Sequence, residues 1–180
     1  MTVEQRLDRL EARQNLEDLI GRYALACDDR DLDALADCYT DDGIFDSVGG
    51  PVRGRAALLR TYRDRLGPHP TVHLAHRLVL DELHTDHASG RVVARSEIVR
   101  PDGLFVIAHR YSDTYRREPD GWRFARRLSR MYYACPAGEL HTLTPDGSRA
   151  RWPGRPAGAA DLPESLPGWV EFLDHERQPE

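Results

Sequence analysis

The carboxylate of Asp28 lies at the end of an apolar helical stripe, a position from which it could take part in catalysis. The stripe consists of residues that recur at helical spacing, namely Leu16, Leu19, Ile20, Tyr23, Ala24 and Cys27. Such a stripe must face a core, and Asp28 continues its i, i+4 row. A carboxylate beside an apolar cavity can hold a perturbed pKa or orient a base. The alternative is that Asp28 and Asp29 only cap a helix–helix connection.

Histidines are the second group that could carry chemistry. His69, His73 and His76 lie close together, with Asp81 nearby. Side chains alternate on a strand, so His73 and His76 point to opposite faces, and no Cys or Glu completes a set of metal ligands. We therefore expect no metal site. Strict alternation from Val72 places His76 with the apolar residues, but a bulge would reverse that assignment, so parity does not choose between the two histidines.

A further histidine lies in the sequence LFVIAHRYSDTY. Alternation places Phe105, Ile107, His109 and Tyr111 on one face of this strand. A histidine among inward-facing apolar residues is commonly a hydrogen-bonded core residue. The same position would also suit a residue that lines a pocket, and the pattern alone leaves both interpretations open.

Composition excludes several classes of function. The chain has 180 residues and no lysine, so all 25 basic residues are arginines. Schiff-base chemistry, pyridoxal-phosphate attachment and a P-loop need a lysine amine and are excluded. Neither a GxSxG nor a GxGxxG motif is present. The net charge of −5 argues against nucleic acid and anionic membranes as partners.

The same features bear on location. No run of the chain approaches the roughly 18 apolar residues of a membrane span, and the polar N-terminus lacks the apolar segment of a signal peptide. The three cysteines, Cys27, Cys38 and Cys135, are scattered and form no CxxC motif. We therefore expect reduced thiols and a cytoplasmic protein.

The order of elements indicates the fold class. Periodicity predicts helices over residues 11–28, 32–40 and 54–66, and strands over 43–47, 71–83, 91–100, 104–117 and 121–134. Helices first and strands afterwards indicate an α+β domain, with the helices packed on one face of a curved antiparallel sheet. Seven of the twelve prolines fall after residue 135. We therefore divide the chain into a domain over 1–135 and a proline-rich extension over 136–180, a candidate lid or subunit contact.

Several motifs together resemble the SnoaL-like branch of the nuclear transport factor 2-like superfamily. They are YxxxxD from Tyr23 to Asp28, DDGIF at 41–45, GRAAL at 54–58, TVH at 71–73 and DGWRFARR at 120–127. The resemblance covers about residues 11–134. It implies a cone-shaped α+β barrel, in which three N-terminal helices pack on a mostly antiparallel sheet, and a homodimer or homotrimer.

The resemblance also assigns roles to particular residues. Asp28 and His73 match the Asp–His dyad of the family, Tyr23 matches a tyrosine of its active site, and Arg127 matches an arginine that assists the leaving group, with Arg130 as an alternative. A carboxylate bonded to one nitrogen of a histidine fixes its tautomer and stabilises the imidazolium formed during proton abstraction. The expected substrate-binding residues are His109, Tyr111, Tyr39, Phe45, Ile107 and Arg130.

The resemblance implies an enzyme that needs no cofactor. The expected reaction is a dehydratase-like elimination from a small hydrophobic molecule that carries a carbonyl group or a leaving group. Isomerisation or polyketide-type cyclisation is the alternative within the same fold. A non-catalytic ligand-binding or scaffold subunit is the alternative from a different class, because this fold hosts unrelated functions.

Overall fold

The computed structural model describes residues 1–145 and 148–176. Its helices are α1 (Val3–Asp29), α2 (Leu32–Asp37), α3 (Arg55–Leu66) and α4 (Pro167–Glu176), with a 3₁₀ turn over Ala137–Thr142. Its strands are β1 (Tyr39–Ser47), β2 (Gly50–Arg53), β3 (Thr71–Leu83), β4 (His87–Arg100), β5 (Gly103–Glu118) and β6 (Gly121–Pro136). None of the helices in these two ranges is long and apolar enough to cross a membrane.

The strands form one six-stranded sheet in the order β2-β1-β6-β5-β4-β3. All neighbours are antiparallel except β1 and β6, which are parallel. The expected α+β fold is confirmed, with helices preceding the strands. The sheet has free edges at β2 and β3, so the cone is open and is not a closed barrel.

Helix α1 is longer than its apolar stripe predicts. It begins at Val3 because Thr2 and Gln5 form a capping box, in which each side chain bonds the backbone N–H of the other residue. Its predicted core face is confirmed, since Leu16, Leu19 and Cys27 are fully buried. This long helix, which packs on β3 and β6, sets the position of its last turn against the sheet.

Helix α2 ends earlier than expected. Residues 38–40 were predicted to be helical, but α2 stops at Asp37 and β1 starts at Tyr39. The backbone N–H of Phe124 donates to the carbonyl of Cys38, and Tyr39 is the register partner of Phe124 on β6. For the residues after Asp37, pairing with β6 is therefore more favourable than continuing α2.

A bulge in β3 determines which of its two histidines faces the helices. The register with β4 shifts between Ala75 and Leu78. Before the shift, Val72 is 48% exposed and on the outer face, whereas Leu78 after the shift is buried. His73 therefore faces the helices, while His76 is exposed on the outside of the sheet.

The proline-rich extension folds back onto the sheet. Ala150 bridges to Ala134 of β6 and is buried with Phe105 and Met131. Trp152 packs on Phe105, with 5.3 Å between ring centroids. Helix α4 at its end buries none of its described residues. The extension is thus docked through the segment that contains Ala150 and Trp152, whereas the described residues of α4 contribute nothing to the buried core.

Candidate active site

A cavity of about 400 Å³ opens between the helices and the inner face of the sheet. Its wall combines residues of α1 and α3, of β1 and β3 to β6, and of the extension. The volume lies in the roughly 300–1,000 Å³ range of small-molecule sites. Six of the expected site residues line it: Tyr23, Phe45, His73, Ile107, His109 and Tyr111.

The Asp28 carboxylate is bonded to His73 at the edge of this cavity. His73 Nδ1 lies 2.6 Å from Asp28 Oδ1, and the backbone N–H of His73 donates to Oδ2 at 2.8 Å. The Thr71 hydroxyl also donates to Oδ1, at 2.8 Å. An ionised carboxylate only accepts hydrogen bonds, so these donors hold both of its oxygens in place. The arrangement fixes the ring of His73 with Nδ1 on the carboxylate and Nε2 on the opposite edge.

The side chain of Asp28 does not cap α1, because Arg30 provides the C-cap of this helix. Arg30 adopts the left-handed conformation (φ 60°) as the C-cap. Its guanidinium donates to the carbonyls of Cys27 and Asp28, to that of His69, and to the Thr71 hydroxyl. Cations near a helix C-terminus satisfy its unpaired carbonyls. The alternative that the Asp28 side chain only caps the helix connection is therefore wrong.

Tyr23 presents a protonated phenol to the cavity. Its hydroxyl lies 3.0 Å from that of Tyr62, which in turn lies 2.7 Å from the hydroxyl of Tyr39. Burial raises the pKa of all three phenols well above the ordinary value. They remain neutral hydrogen-bond donors at any physiological pH. Tyr39 lies behind Tyr62 and does not line the cavity, so its expected contact with substrate is not supported.

His109 is a neutral imidazole in the cavity wall. Its Nε2 lies 2.9 Å from the Ser96 hydroxyl, and its Nδ1 lies 3.5 Å from that of Ser129. Burial, with a smaller contribution from nearby His73 and Arg127, lowers the pKa of His109 to about 3. A group with this pKa does not act as a base at neutral pH, but it can donate or accept a hydrogen bond.

Arg127 lies behind the cavity wall instead of in it. Its guanidinium is fully buried and donates from Nε and Nη2 to the two oxygens of Asp113, at 3.0 and 2.7 Å. The guanidinium carbon lies 4.3 Å from the ring centroid of Tyr23 and 4.0 Å from that of Tyr111. Arg127 was expected to contact a leaving group directly, but the structure places it outside the cavity wall. There its guanidinium packs on the rings of Tyr23 and Tyr111, which do line the cavity.

Arg130 also lies away from the cavity. Its side chain is 46% exposed and lies 3.7 Å from Asp161. β6 places Ser129 and Met131 in the cavity wall, and Arg130 between them points to the other face of the strand, in line with strand alternation. Arg130 was expected to bind substrate, but the structure places it outside the cavity wall.

Several residues of the wall were not expected from the sequence. Tyr62 of α3, Ser96 and Arg100 of β4, and Trp152 and Arg155 of the extension all line the cavity. Tyr62 follows Leu58 and Leu59 at helical spacing, so the sequence does contain a signal for its burial. The cavity contact of the extension depends on a long-range docking that local sequence patterns do not encode.

The structure does not gather His69, His73 and His76 into a cluster of possible metal ligands. Within residues 1–145 and 148–176, no group of three or more His, Cys, Asp or Glu side chains could hold a metal ion. The three cysteines are buried free thiols. Burial raises the pKa of Cys27, which lines the cavity, to about 12. This thiol is therefore not a nucleophile at neutral pH.

Comparisons with known proteins agree with this architecture. Residues 8–128 match the SnoaL-like domain family model. The γ-hexachlorocyclohexane dehydrochlorinase of Sphingobium indicum is 28% identical over 144 residues, covering 77% of this chain and 92% of that protein. An uncharacterised protein of Mycobacterium tuberculosis is 34% identical over 137 residues, covering 71% of this chain and 88% of that protein.

Solved structures give the same picture. The hexachlorocyclohexane dehydrochlorinase of Novosphingobium barchaimii superposes with a TM-score of 0.68 at 26% identity, over 78% of this chain and 99% of that one. A putative scytalone dehydratase from Novosphingobium aromaticivorans shares the fold, with a TM-score of 0.65 at 19% identity, over 73% of this chain and 96% of that one. The family match covers most of the chain and its fold is the one described above. The chain therefore belongs to the SnoaL-like domain family of the nuclear transport factor 2-like superfamily.

Proposed function

We propose that this protein is a cofactor-independent lyase that eliminates a leaving group from a small hydrophobic substrate, with His73 as the base and Asp28 as its partner. The observation that carries the proposal is the 2.6 Å contact between His73 Nδ1 and Asp28 Oδ1 at the wall of a largely apolar cavity. The dehydrochlorinase relatives, whose name denotes the removal of hydrogen chloride, support a lyase.

The proposed reaction begins with proton abstraction from carbon. His73 Nε2 takes the proton, and the electrons of the broken C–H bond form a carbon–carbon double bond as the leaving group departs with its bonding pair. Asp28 stabilises the imidazolium that results. The proton on Nε2 is then released with the leaving group, as water or as an acid. Nothing is oxidised or reduced, so the step needs no cofactor.

Neutral donors of the wall would stabilise the developing negative charge. The phenol of Tyr23 stays protonated because it is buried, and a substrate carbonyl or leaving oxygen could accept its hydrogen bond. The imidazole of His109 is neutral for the same reason. Preorganised donors in a dry site stabilise charge more than they would in water. Arg127 acts as a positioning residue, since it packs on the rings of Tyr23 and Tyr111.

The expected setting of the enzyme is part of the same proposal. A cytoplasmic location is inferred from the scattered cysteines and the polar N-terminus, and a homodimer or homotrimer is inferred from the family resemblance. The outer face of the sheet carries exposed Val72 and Leu74, and burial of such residues between copies would be favourable. Size-exclusion chromatography with light scattering measures the oligomeric state, and a monomer at micromolar concentration would contradict it.

The proposal is tested by a turnover screen read by mass spectrometry. The panel contains hydrophobic β-hydroxy carbonyl compounds and γ-hexachlorocyclohexane, incubated with the wild type and with His73→Gln and His76→Gln variants. His76→Gln is the matched control, because His76 is an exposed histidine on the same strand. We expect loss of water or hydrogen chloride with the wild type and the control, and none with His73→Gln.

Other outcomes separate the alternatives. A product of unchanged mass would replace elimination by isomerisation or cyclisation with the same base. Binding by the wild type without conversion of any compound would favour a ligand-binding subunit. Conversion that survives in His73→Gln would remove His73 from the mechanism.

A further inference from the structure

The mouth of the cavity is lined by cations. Arg65 of α3, Arg100 of β4 and Arg155 of the extension all contribute to its wall. No Asp or Glu is among the described residues that line the cavity. This local excess of positive charge contrasts with the net charge of −5 of the whole chain.

Arg100 is the one of the three that has a buried donor without a hydrogen-bond partner among the described residues. This donor is its Nε. The carboxylate neighbour of Arg100 is the exposed Asp102, whose Oδ1 lies 3.7 Å from Nε, within ion-pair distance but too far for a hydrogen bond. A buried donor without a partner costs free energy. An acceptor supplied by a ligand would remove that cost.

The extension adds a second buried donor, on another residue of the cavity wall. The indole Nε1 of Trp152 is buried and likewise has no partner among the described residues. The indole is held by Phe105, and the backbone N–H of Arg155 donates to the carbonyl of Trp152 at 3.1 Å. This turn keeps Trp152 and Arg155 together at the cavity. Both lie beyond residue 128, where the match to the family model ends.

Arg65 is held in place without being neutralised. It donates to the Ser47 hydroxyl at 2.6 Å, and its guanidinium lies 5.4 Å from the ring centroid of Phe45. Within residues 1–145 and 148–176, no carboxylate lies within ion-pair distance of Arg65 or Arg155. Both charges are therefore free to attract an anion.

We propose that the ligand of this cavity is a hydrophobic molecule that carries a carboxylate, and that Arg100, Arg155 and the Trp152 indole bind this group while its apolar part lies toward His73. Guanidinium groups bind carboxylates through paired, charge-assisted hydrogen bonds. Arg65 adds attraction at the rim. This inference rests on the proposed use of the cavity as a substrate site, and it adds the chemical class of the substrate.

A pair of matched probes tests the inference by binding alone. 2-Naphthoate carries a carboxylate, and 2-acetylnaphthalene is a neutral molecule of nearly the same shape. Their dissociation constants are measured by calorimetry with the wild type and with R100Q, R155Q and R60Q. Arg60 is the matched control, because it is an exposed arginine of α3 outside the cavity wall.

We expect the wild type to bind the naphthoate at least about tenfold more tightly than the ketone, the gain of one charge-assisted contact. R100Q and R155Q should each weaken naphthoate binding by about tenfold. They should leave the affinity for the ketone within about twofold, and R60Q should change neither. Equal affinity of the wild type for the two probes, failure of the naphthoate to bind, or a preference retained in both R100Q and R155Q would overturn the inference.

The same titrations with H73Q separate this inference from the proposed function. The preference for the carboxylate should survive in H73Q, because the anion is bound at the mouth. Loss of the preference in H73Q would place the anion at the dyad and overturn the inference. If the preference survives in H73Q and the wild type converts no compound of the screen, the result would support the anion site and contradict the lyase.

Discussion

Replacing Arg127 with methionine should destabilise the protein by about 3–5 kcal/mol, the usual cost of removing one partner of a buried ion pair. Arg127 and Asp113 are both fully buried, and two hydrogen bonds join them. Without the guanidinium, the one hydrogen bond to the Asp113 side chain that remains among the described residues comes from Tyr115, at 3.0 Å. Equilibrium unfolding in urea, followed by tryptophan fluorescence, measures the loss.

Two further variants test whether the loss comes from the unpaired charge of Asp113. Adding Asp113→Asn to Arg127→Met removes the unpaired charge but keeps an acceptor for the Tyr115 hydroxyl, so the double variant should recover at least about 2 kcal/mol. Arg126→Met removes the neighbouring arginine, whose side chain is 49% exposed, and should cost less than about 1 kcal/mol. A loss below about 1 kcal/mol in Arg127→Met, or no recovery in the double variant, would refute the assignment of Arg127 to a core ion pair.

Three further predictions concern single residues. The pKa of His109 is lowered to about 3 in the folded protein, whereas a histidine of the unfolded chain has a pKa near 6.5 and is protonated at pH 5. Because only the unfolded state binds this proton, the free energy of unfolding should fall by about 2 kcal/mol from pH 7.5 to pH 5. Urea titrations of His109→Gln should lack this part of the fall. With its pKa raised to about 12, Cys27 in the native protein should be alkylated by iodoacetamide at pH 8 at least about 100-fold more slowly than a free thiol; labelling at the free-thiol rate, read by peptide mass, would contradict this. Leu162 of the extension is 3% exposed, so Leu162→Ala should cost about 2–4 kcal/mol in thermal or urea unfolding; a loss below about 0.5 kcal/mol would show that the extension contributes little to the fold.

Local sequence patterns were sufficient to predict the buried face of α1 and the inward face of β5. The apolar stripe of α1 predicted its buried face, and the strand pattern from Phe105 to Tyr111 placed Ile107, His109 and Tyr111 on one side, where they line the cavity. The breaks between the predicted strands 91–100, 104–117 and 121–134 coincide with hairpin turns, in which Gly103 and Gly121 adopt positive φ. In each case, neighbouring residues decide the conformation.

Contacts between distant segments were beyond the reach of such patterns. The partner of Arg127 is its register neighbour Asp113 on β5, and only the pairing of the two strands reveals that the arginine is neutralised and buried. The bulge after Ala75 decided which histidine of β3 faces inward, and alternation could not locate it. Trp152 reaches the cavity because the extension docks on Phe105, a packing that composition rich in proline does not predict.

The central claim is that His73, held by Asp28, removes a proton from a bound substrate. The most direct measurement is kcat/KM of the wild type, Asp28→Asn, His73→Gln and His76→Gln on the compound that the screen identifies, with binding of that compound measured in parallel. Loss of a general base costs typically 10²–10⁴-fold, so we predict at least about a 100-fold fall in Asp28→Asn and His73→Gln, with binding retained and His76→Gln unchanged. Rates within about threefold of the wild type in either dyad variant would contradict the account.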